Sequence, residues 1–353
     1  HTLIVGGSLP QIWDGDEMVE LGYCLHLPED LAGVAAVSGG GAVDAGGHFY
    51  VYTYQYYDAQ NQLYESAPSE QISVTVGGAG TNSVDLTLPC LHNTNKPNVR
   101  IAIYRTEAAA AATTTMYFVG TRSNSRILDT VPFADLLSDA VISTQRTLPT
   151  TGGVLASLQP APGHIQALHQ GRLFAVDEEN PETVIRYTKV ITEGIAPEHN
   201  GVLILRIPSD GGDITALYSF MDRLIVFKTH RIYAVSGTGL SAKGIGTGYA
   251  APYLISEAVG CTAQKTVIDI PGGVAFLAPA GIHNITSKLA VVPLGDAVRH
   301  QTDNNTYRSG TLVPSQHAAV WVSDDGDAIV YDYLYGLWAT WTGATCKDCA
   351  VMG

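Results

Sequence analysis

Two groups of carboxylates are the first candidates for chemistry in this sequence. Three aspartates surround Gly326 in residues 324–327, and calcium loops use oxygen ligands at such short spacing. The EF-hand spacing and its terminal glutamate are missing, so the pattern favours a β-turn. A second loop carries Glu178, Glu179 and Glu182. Glycosidases need two carboxylates facing each other across a sugar, and nothing in the sequence fixes such a pair, so we predict a surface loop.

Sulfur and imidazole ligands are also present, without the spacing of a metal site. The five cysteines are Cys24, Cys90, Cys261, Cys346 and Cys349. The last two form a lone C-x-x-C, whereas a zinc site needs about four ligands. The eleven histidines include His164, His169, His230, His283 and His317. They form no H-x-H or H-E-x-x-H pair, which favours roles in turns and at strand edges.

Two further motif classes are missing or incomplete. No G-x-S-x-G nucleophile elbow occurs, and the glycine-rich residues 244–248 precede Pro252 rather than the helix N-terminus that a phosphate cradle requires. We predict a long loop there. The sequence therefore predicts no catalytic residue, no cofactor-binding residue and no metal ligand, so we expect a protein that is not an enzyme and has no cofactor.

The charge balance argues against ordinary nucleic-acid binding. The chain has 353 residues and a net charge of −14, whereas an external nucleic-acid binder needs a basic surface. An acidic surface serves solubility, and it would also let DNA slide through a duct without sticking. No apolar run reaches 18 residues, so we expect no membrane span, and no signal peptide is visible. Because the chain starts at His1 within an apolar run, we expect a fragment, a processed product or the ordered part of something larger.

The elements that must position these residues are short strands in a repeat. Residues 212–235 contain three apolar runs separated by polar turns, and residues 163–176 repeat the order Gly-x-Ile-x-Ala-Leu followed by Arg-Leu. Comparable units place Ile165, Ile214, Val267 and Val320 about 50 residues apart, a spacing typical of four-stranded propeller blades. Arg172 and Arg223 recur within the repeat, and we interpret them as turn or blade-edge residues.

A different β pattern fills residues 45–150. About seven short alternating strands lie there, without the Cys-Trp-Cys pattern of antibody domains, so we predict a fibronectin type III-like sandwich. One of the strands is predicted at residues 126–130. Arg100 and Arg105 flank Ile101 and Ile103, and we expect both arginines to face solvent. Residues 107–112, rich in alanine, are the best candidate for a helix.

The predicted fold is all-β, with propeller-like repeats and an inserted sandwich. Residues 1–44 form an N-terminal β segment, residues 45–150 the sandwich, and residues 151–353 the blades, incomplete at the C-terminus. A ring that pairs its first and last strands removes its sheet edges, so we assign residues 1–44 to the propeller.

The order of several segments resembles a known family. The segments are "GGSLPQIWDGDEMVELGY", "YESAPSEQISVTV", "VRIAIYRTE", "ITALYSFMDRLIVFKTHRIYAVSG", "GCTAQKTVIDIPGGVAFLAPAGIHNI" and "YDYLYGLWATW". Together they resemble the tail nozzle proteins (tail tubular protein B-like, or tail hub) of short-tailed bacteriophages. The resemblance implies a structural virion protein of the phage tail: a hexameric ring that contacts the tail adaptor and other tail proteins. The resemblance also implies that viral DNA passes through the channel of this ring during ejection without sequence-specific binding.

Two other function classes stay open. In a carbohydrate-binding or glycan-hydrolysing propeller, a receptor-binding tail component, Trp321, Trp338 and Trp341 would stack on sugars, although they fit blade packing equally well. An intracellular scaffold is the third class.

Overall fold

The computed structural model describes residues 2–4, 10–23, 31–36, 40–78, 81–112 and 114–343. Within these ranges the protein is nearly all-β, and its only α-helices are the short α1 (Asp139–Ile142) and α2 (Arg299–Asn304). The chain divides into two compact units. The first contains His1–Pro162, Tyr187–Leu203 and Leu240–Gly246, and the second contains Gly163–Arg186, Ile204–Gly239 and Thr247–Gly353.

The first unit contains three antiparallel sheets. Its strands are β1 (Thr2–Ile4), β2 (Gln11–Trp13), β3 (Met18–Glu20), β4 (Ala32–Ala36), β5 (Gly46–Tyr57), β6 (Leu63–Glu65), β7 (Ile72–Val76), β8 (Ser83–Pro89), β9 (Arg100–Arg105), β10 (Tyr117–Ser123) and β11 (Thr130–Asp135). One sheet has the order β1-β2-β3. The second has the order β10-β9-β5-β6, with β7 also paired to β5, and the third has the order β11-β8-β4.

The second and third sheets form the predicted β-sandwich. Tyrosines at alternate positions of β5 are buried on one face because successive side chains of a strand point to opposite sides. The hydroxyl of Tyr50 donates to Asp135 Oδ2 at 2.8 Å, and that of Tyr54 donates to the Pro89 carbonyl at 3.0 Å. Both acceptors belong to the third sheet, so these tyrosines connect the two layers.

The pairing of the N-terminal strands adds detail to the predicted domain limits. β4 lies within residues 1–44 and pairs with β8 of the sandwich, whereas β1, β2 and β3 pair with one another. The division at residues 44 and 150, and the assignment of residues 1–44 to the propeller, stay predictions.

Two local predictions in this unit are wrong. Residues 107–112 form turns instead of a helix, and Ala109 has a φ of 57°. Residues 126–129 are not a strand, because the Ser125 hydroxyl accepts hydrogen bonds from the amides of Ile127 and Leu128 and so closes a turn. The strand β11 begins only at Thr130.

The second unit, together with parts of β14 and β15 that belong to the first, carries four four-stranded meanders. Blade 1 is β12 (Gln166–His169), β13 (Arg172–Val176), β14 (Val184–Thr188) and β15 (His199–Arg206). Blade 2 is β16 (Ile214–Phe220), β17 (Arg223–Lys228), β18 (Ile232–Val235) and β19 (Tyr253–Ser256). Blade 3 is β20 (Ile268–Ile270), β21 (Gly273–Ala278), β22 (Gly281–Thr286) and β23 (Val291–Pro293). Blade 4 is β24 (Tyr307–Val313), β25 (Ala318–Ser323), β26 (Asp327–Asp332) and β27 (Leu337–Thr342).

Each blade pairs its strands in sequence order, and neighbouring blades share apolar cores. Phe227 of blade 2 and Phe276 of blade 3 lie in one buried cluster, with ring centroids 5.0 Å apart. Ala275 of blade 3 and Trp321 of blade 4 belong to the next cluster. Four-stranded antiparallel sheets stacked in this way are β-propeller-like repeats, as the sequence predicts.

The predicted phase of the fourth repeat is wrong by one strand. Val320 lies in β25, the second strand of blade 4, and the first strand is β24. Polar residues and a glycine interrupt the apolar pattern of β24. Gly310 is required because a Cβ atom there would lie 2.7 Å from Ile268 and 2.9 Å from Trp321. Gly310 therefore makes room for Trp321, and the same glycine interrupts the apolar pattern by which β24 could have been recognised in the sequence.

Candidate assembly surface

Hydrogen bonds from uncharged or weakly basic groups join neighbouring blades. His169 Nδ1 lies 2.8 Å from Ser219 Oγ, between blades 1 and 2. The Gln264 side chain accepts from the Leu217 amide at 2.7 Å and donates to its carbonyl at 2.9 Å. The indole N–H of Trp321 donates to the Thr266 carbonyl at 2.9 Å. These bonds satisfy buried polar groups and fix each blade against the next.

The hairpin of β26 and β27 exposes large apolar side chains. Leu334 is 58% exposed, Tyr335 73%, Leu337 64% and Trp341 45%. We call these four residues the hairpin patch. Asp332 shapes its turn, because one carboxylate oxygen accepts from the amides of Leu334 and Tyr335 at 2.9 and 3.0 Å.

The two faces of β27 differ in burial. Trp338 packs against Trp321 and Tyr331, with ring centroids 6.1 and 4.6 Å apart. Leu337 and Trp341 lie on the alternate face and remain exposed. Within the described residues β27 pairs only with β26. An exposed apolar row on an edge strand is a surface suited to binding another chain.

The three tryptophans proposed to stack on sugars have different surroundings. Trp321 is fully buried and its indole N–H is already bonded. Trp338 is half-buried in the blade core. Trp341 alone among these three is exposed, so the structure does not bring them together into one stacking platform.

The acidic candidates lie where the sequence predicts turns and loops. Residues 324–326 form the turn between β25 and β26, in which Gly326 has a φ of 88°. Asp324 pairs with Arg308 at 2.6 Å. The three glutamates lie in the loop between β13 and β14, where Glu178 Oε1 is 3.4 Å from His164 Nε2. Within the described ranges, no three His, Cys, Asp or Glu side chains are grouped closely enough to hold a metal ion.

The histidines and cysteines occupy mostly structural positions. His317 adopts a left-handed conformation with a φ of 52° before β25, and His283 Nδ1 lies 3.0 Å from the Gly281 carbonyl. Cys90 and Cys261 are buried free thiols, and burial raises the pKa of Cys261 to about 11. Cys24, Cys346 and Cys349 lie outside the described residues.

The two repeated arginines also differ. Arg223 starts β17, is partly exposed and lies 3.7 Å from Asp222, which fits the predicted turn position. Arg172 starts β13 and is buried, with 4% exposure.

The prediction that Arg100 and Arg105 both face solvent is wrong for Arg105. The two residues are an odd number of positions apart and so point to opposite faces of β9. Arg105 shares the face of Ile101 and Ile103 and is fully buried. Its Nε donates to Asp135 at 2.7 Å, its Nη1 donates to Asp139, and its Nη2 donates to the Leu137 carbonyl at 2.6 Å.

Sequence reasoning also missed two buried lysines. The Lys96 ammonium pairs with Glu20 at 3.0 Å. The Lys228 ammonium donates to the Pro208 carbonyl at 2.6 Å, and burial lowers its pKa. Strand parity would have identified Arg105, whereas no local signal marks the lysines, because their partners are distant in sequence.

Comparison with known proteins does not assign the chain to a family. No family model and no curated protein matches the chain. Solved structures with a likeness include the WD40 domain of Toxoplasma gondii coronin, at 10% identity and a TM-score of 0.35, over 55% of this chain and 49% of that one. PorZ from Porphyromonas gingivalis, described as an essential bacterial surface component of the type-IX secretion system, has 9% identity and a TM-score of 0.29, over 73% of this chain and 38% of PorZ.

A third solved structure, Kluyveromyces lactis Hsv2, has 11% identity and a TM-score of 0.26, over 82% of this chain and 96% of that one. The chain spans about half of the coronin domain and less of PorZ. These TM-scores are too low to support a relationship. The propeller-like fold is assigned from the pairing order of the four-stranded sheets. No helix in the described residues is long and apolar enough to cross a membrane.

Proposed function

We propose that the protein is a structural subunit of a bacteriophage tail nozzle, built into a homo-oligomeric ring that conducts viral DNA. The observation that carries the proposal is the hairpin patch on an edge strand of the last blade. Soluble monomers rarely expose large contiguous apolar surface, so the patch favours burial against another chain. The resemblance of the segment order to tail nozzle proteins supports this choice of assembly.

The charge of the chain supports the DNA-conducting role. With 33 acidic and 19 basic residues, the protein repels the phosphate backbone on average, which limits sticking during passage. The proposal gives the chain no catalytic role and no cofactor, and it places the chain in the virion, in contact with the tail adaptor and other tail proteins. A ring of six copies follows from the family resemblance.

Native mass spectrometry of the purified chain tests the assembly. We expect a closed oligomer, with six copies as the specific prediction, and cryo-electron microscopy of virions should locate the chain in the tail. A monomeric protein that is absent from particles would overturn the proposal.

Variants of the hairpin patch test the surface itself. Leu337→Glu and Trp341→Glu place a charge at the centre of the patch and should shift the oligomer to monomer. The matched control is Ile245→Glu, which introduces the same charge at a 65% exposed residue in a loop outside the patch. Assembly that survives both hairpin variants would show that another surface holds the ring.

The carbohydrate-binding alternative has one supporting observation. Trp341 is exposed and available for stacking on a sugar. A glycan array on the purified protein, repeated with Trp341→Ala, separates this function from assembly. Glycan binding that disappears in the variant while the oligomer persists would favour the alternative.

A further inference from the structure

A cavity of about 500 Å³ lies at one end of the sandwich. Three segments line it: the residues before β9, the start of β9, and the end of β10 with the residues that follow it. The lining residues are Lys96, Pro97, Asn98, Val99, Arg100, Ser123, Asn124 and Arg126. We call this cavity the basic groove. Its volume lies within the range of small-molecule sites, about 300–1,000 Å³.

The charge of the basic groove is opposite to that of the whole chain. Three of its eight lining residues are basic and none is acidic, whereas acidic residues outnumber basic ones 33 to 19 in the sequence. Lys96 does not supply the positive charge, because its ammonium is buried and pairs with Glu20. The positive charge that remains for a ligand comes from Arg100 and Arg126.

These two arginines have donors to spare. Arg100 is exposed, and within the described ranges its guanidinium has no hydrogen-bond or ion-pair partner. Arg126 donates one Nη2 hydrogen bond to the Lys96 carbonyl at 2.7 Å, which holds one edge of the guanidinium in place. Its remaining N–H groups have no partner in the described part of the chain. A guanidinium fixed in this way is arranged for a bidentate contact with an oxyanion.

The backbone around the two arginines is held by side-chain hydrogen bonds. The Asn124 amide exchanges two hydrogen bonds with the Leu91 backbone, at 2.7 and 2.8 Å, and the Asn124 backbone N–H donates to the Val99 carbonyl at 2.9 Å. A groove whose walls are already ordered loses little entropy when a ligand binds.

We propose that the basic groove binds an oxyanion, a phosphate or carboxylate group, carried by a sugar-sized polar ligand. Arg100 and Arg126 would contact the oxyanion, and the side chains of Ser123 and Asn98 would reach ligand hydroxyls. This site goes beyond the assembly role proposed above, because it assigns to the sandwich a small-ligand function that ring formation does not need.

Isothermal titration calorimetry at low salt tests the proposal with four probes: inorganic phosphate, glucose 6-phosphate, glucuronate and glucose. We expect glucose 6-phosphate and glucuronate to bind, inorganic phosphate to bind more weakly, and glucose to give no heat. Arg100→Ala and Arg126→Ala should each weaken binding at least tenfold, since each removes a charged hydrogen-bond donor. Binding should also weaken as salt rises.

Arg122→Ala is the matched control. Arg122 is an exposed residue of β10 that lines a different cavity, so its loss changes the net charge equally and leaves the basic groove intact. Equal weakening in this control would show a general charge effect and overturn the site. The absence of heat with both glucose 6-phosphate and glucuronate would also overturn it. The exposed position of Arg100 makes its variant safe for folding, which circular dichroism checks.

Discussion

The sandwich and the blade junctions bury polar groups in different ways. In the sandwich the charged Arg105 lies in the interior with Asp135 and Asp139 as partners. At the three junction bonds described above, the side-chain groups are an indole, an amide and an imidazole, each bonded to backbone or hydroxyl. The Arg105 bonds of the sandwich therefore join matched charges, whereas these three junction bonds join neutral groups, although blade 2 also buries the charged Lys228.

This difference decides how each region responds to the loss of one partner. Removing one member of a buried ion pair leaves an uncompensated charge, which costs about 3–5 kcal/mol. Removing one member of a neutral buried hydrogen bond leaves an unsatisfied group, which costs about 1–3 kcal/mol. The same comparison separates Arg105 from Arg100, which belongs to the same strand but faces solvent.

The largest expected effect comes from Arg105→Leu. The substitution leaves Asp135 buried without its cation, so the free energy of unfolding of the sandwich should fall by about 3–5 kcal/mol. Hydrogen exchange of the β5 and β9 amides, followed by mass spectrometry, localises the loss to this unit.

Arg100→Leu is the control for this prediction, because it alters the same strand at its first residue, which is exposed. We expect a change within about 0.5 kcal/mol. If the two variants lose equal stability, the ion pairs of Arg105 do not stabilise the sandwich and the comparison with the blades fails.

The second effect comes from Trp321→Phe in blade 4. Phenylalanine keeps an aromatic ring but removes the donor to the Thr266 carbonyl, so blade 4 should lose about 1–3 kcal/mol. Trp338→Phe should lose less, because Trp338 is only half-buried and the described structure shows no hydrogen bond from its indole. Urea unfolding with exchange of the β24 to β27 amides measures both, and a larger loss in Trp338→Phe would contradict the junction account.

Alkaline pH should weaken the sandwich more than the blades. Burial, with the charge of Glu17 as a further cause, raises the pKa of Tyr56 to about 12, and burial raises the pKa values of Tyr50, Tyr64 and Tyr104 further. The unfolded chain releases these protons near pH 10, so it binds fewer protons than the folded state above that pH. Stability is therefore fully present below about pH 10 and falls as pH rises.

Hydrogen exchange or urea unfolding midpoints, measured between pH 9 and 11, give the slope of stability against pH in each unit. Tyr56→Phe removes one titrating group and should flatten the slope of the sandwich without changing that of the blades. Equal slopes in both units, or no change in Tyr56→Phe, would show that buried tyrosines do not set the alkaline limit.

The class of fold and most of the strands could be predicted from the sequence. The two phrases at 163–176 and 212–235 predict blades 1 and 2 because their strands are unbroken apolar runs between turns. Blade 4 was misplaced because Gly310 and its polar neighbours conceal β24. The local patterns could not show that β4 pairs with β8, since a three-stranded layer is assembled from segments about 50 residues apart.

The candidate sites were less predictable than the fold. The turn at 324–327 and the glutamate loop followed from local residue types. The hairpin patch did not, because Leu337 and Trp341 have the same apolar character as the buried residues around them and only tertiary packing distinguishes them. The basic groove required three segments to meet, and a single arginine in sequence gives no sign of its neighbours.

The smallest effect belongs to His169, at the junction of blades 1 and 2. Its side chain is 2% exposed, and burial lowers its pKa, opposed in part by the charge of Asp222. The unfolded histidine gains a proton near pH 6.5 while the folded one resists it, so the unfolded state binds more protons below that pH. Stability is present above about pH 6.5 and declines as pH falls.

His169→Gln should remove this acid dependence, measured as the change in the urea midpoint between pH 7.5 and pH 5. His230→Gln is the control, because His230 is an exposed histidine of the same unit, and it should leave the dependence unchanged. If both variants keep the full acid dependence, groups other than His169 set it. The junction of blades 1 and 2 would then not respond to pH. It would differ from the sandwich, with its buried ion pairs, more than the burial of His169 leads us to expect.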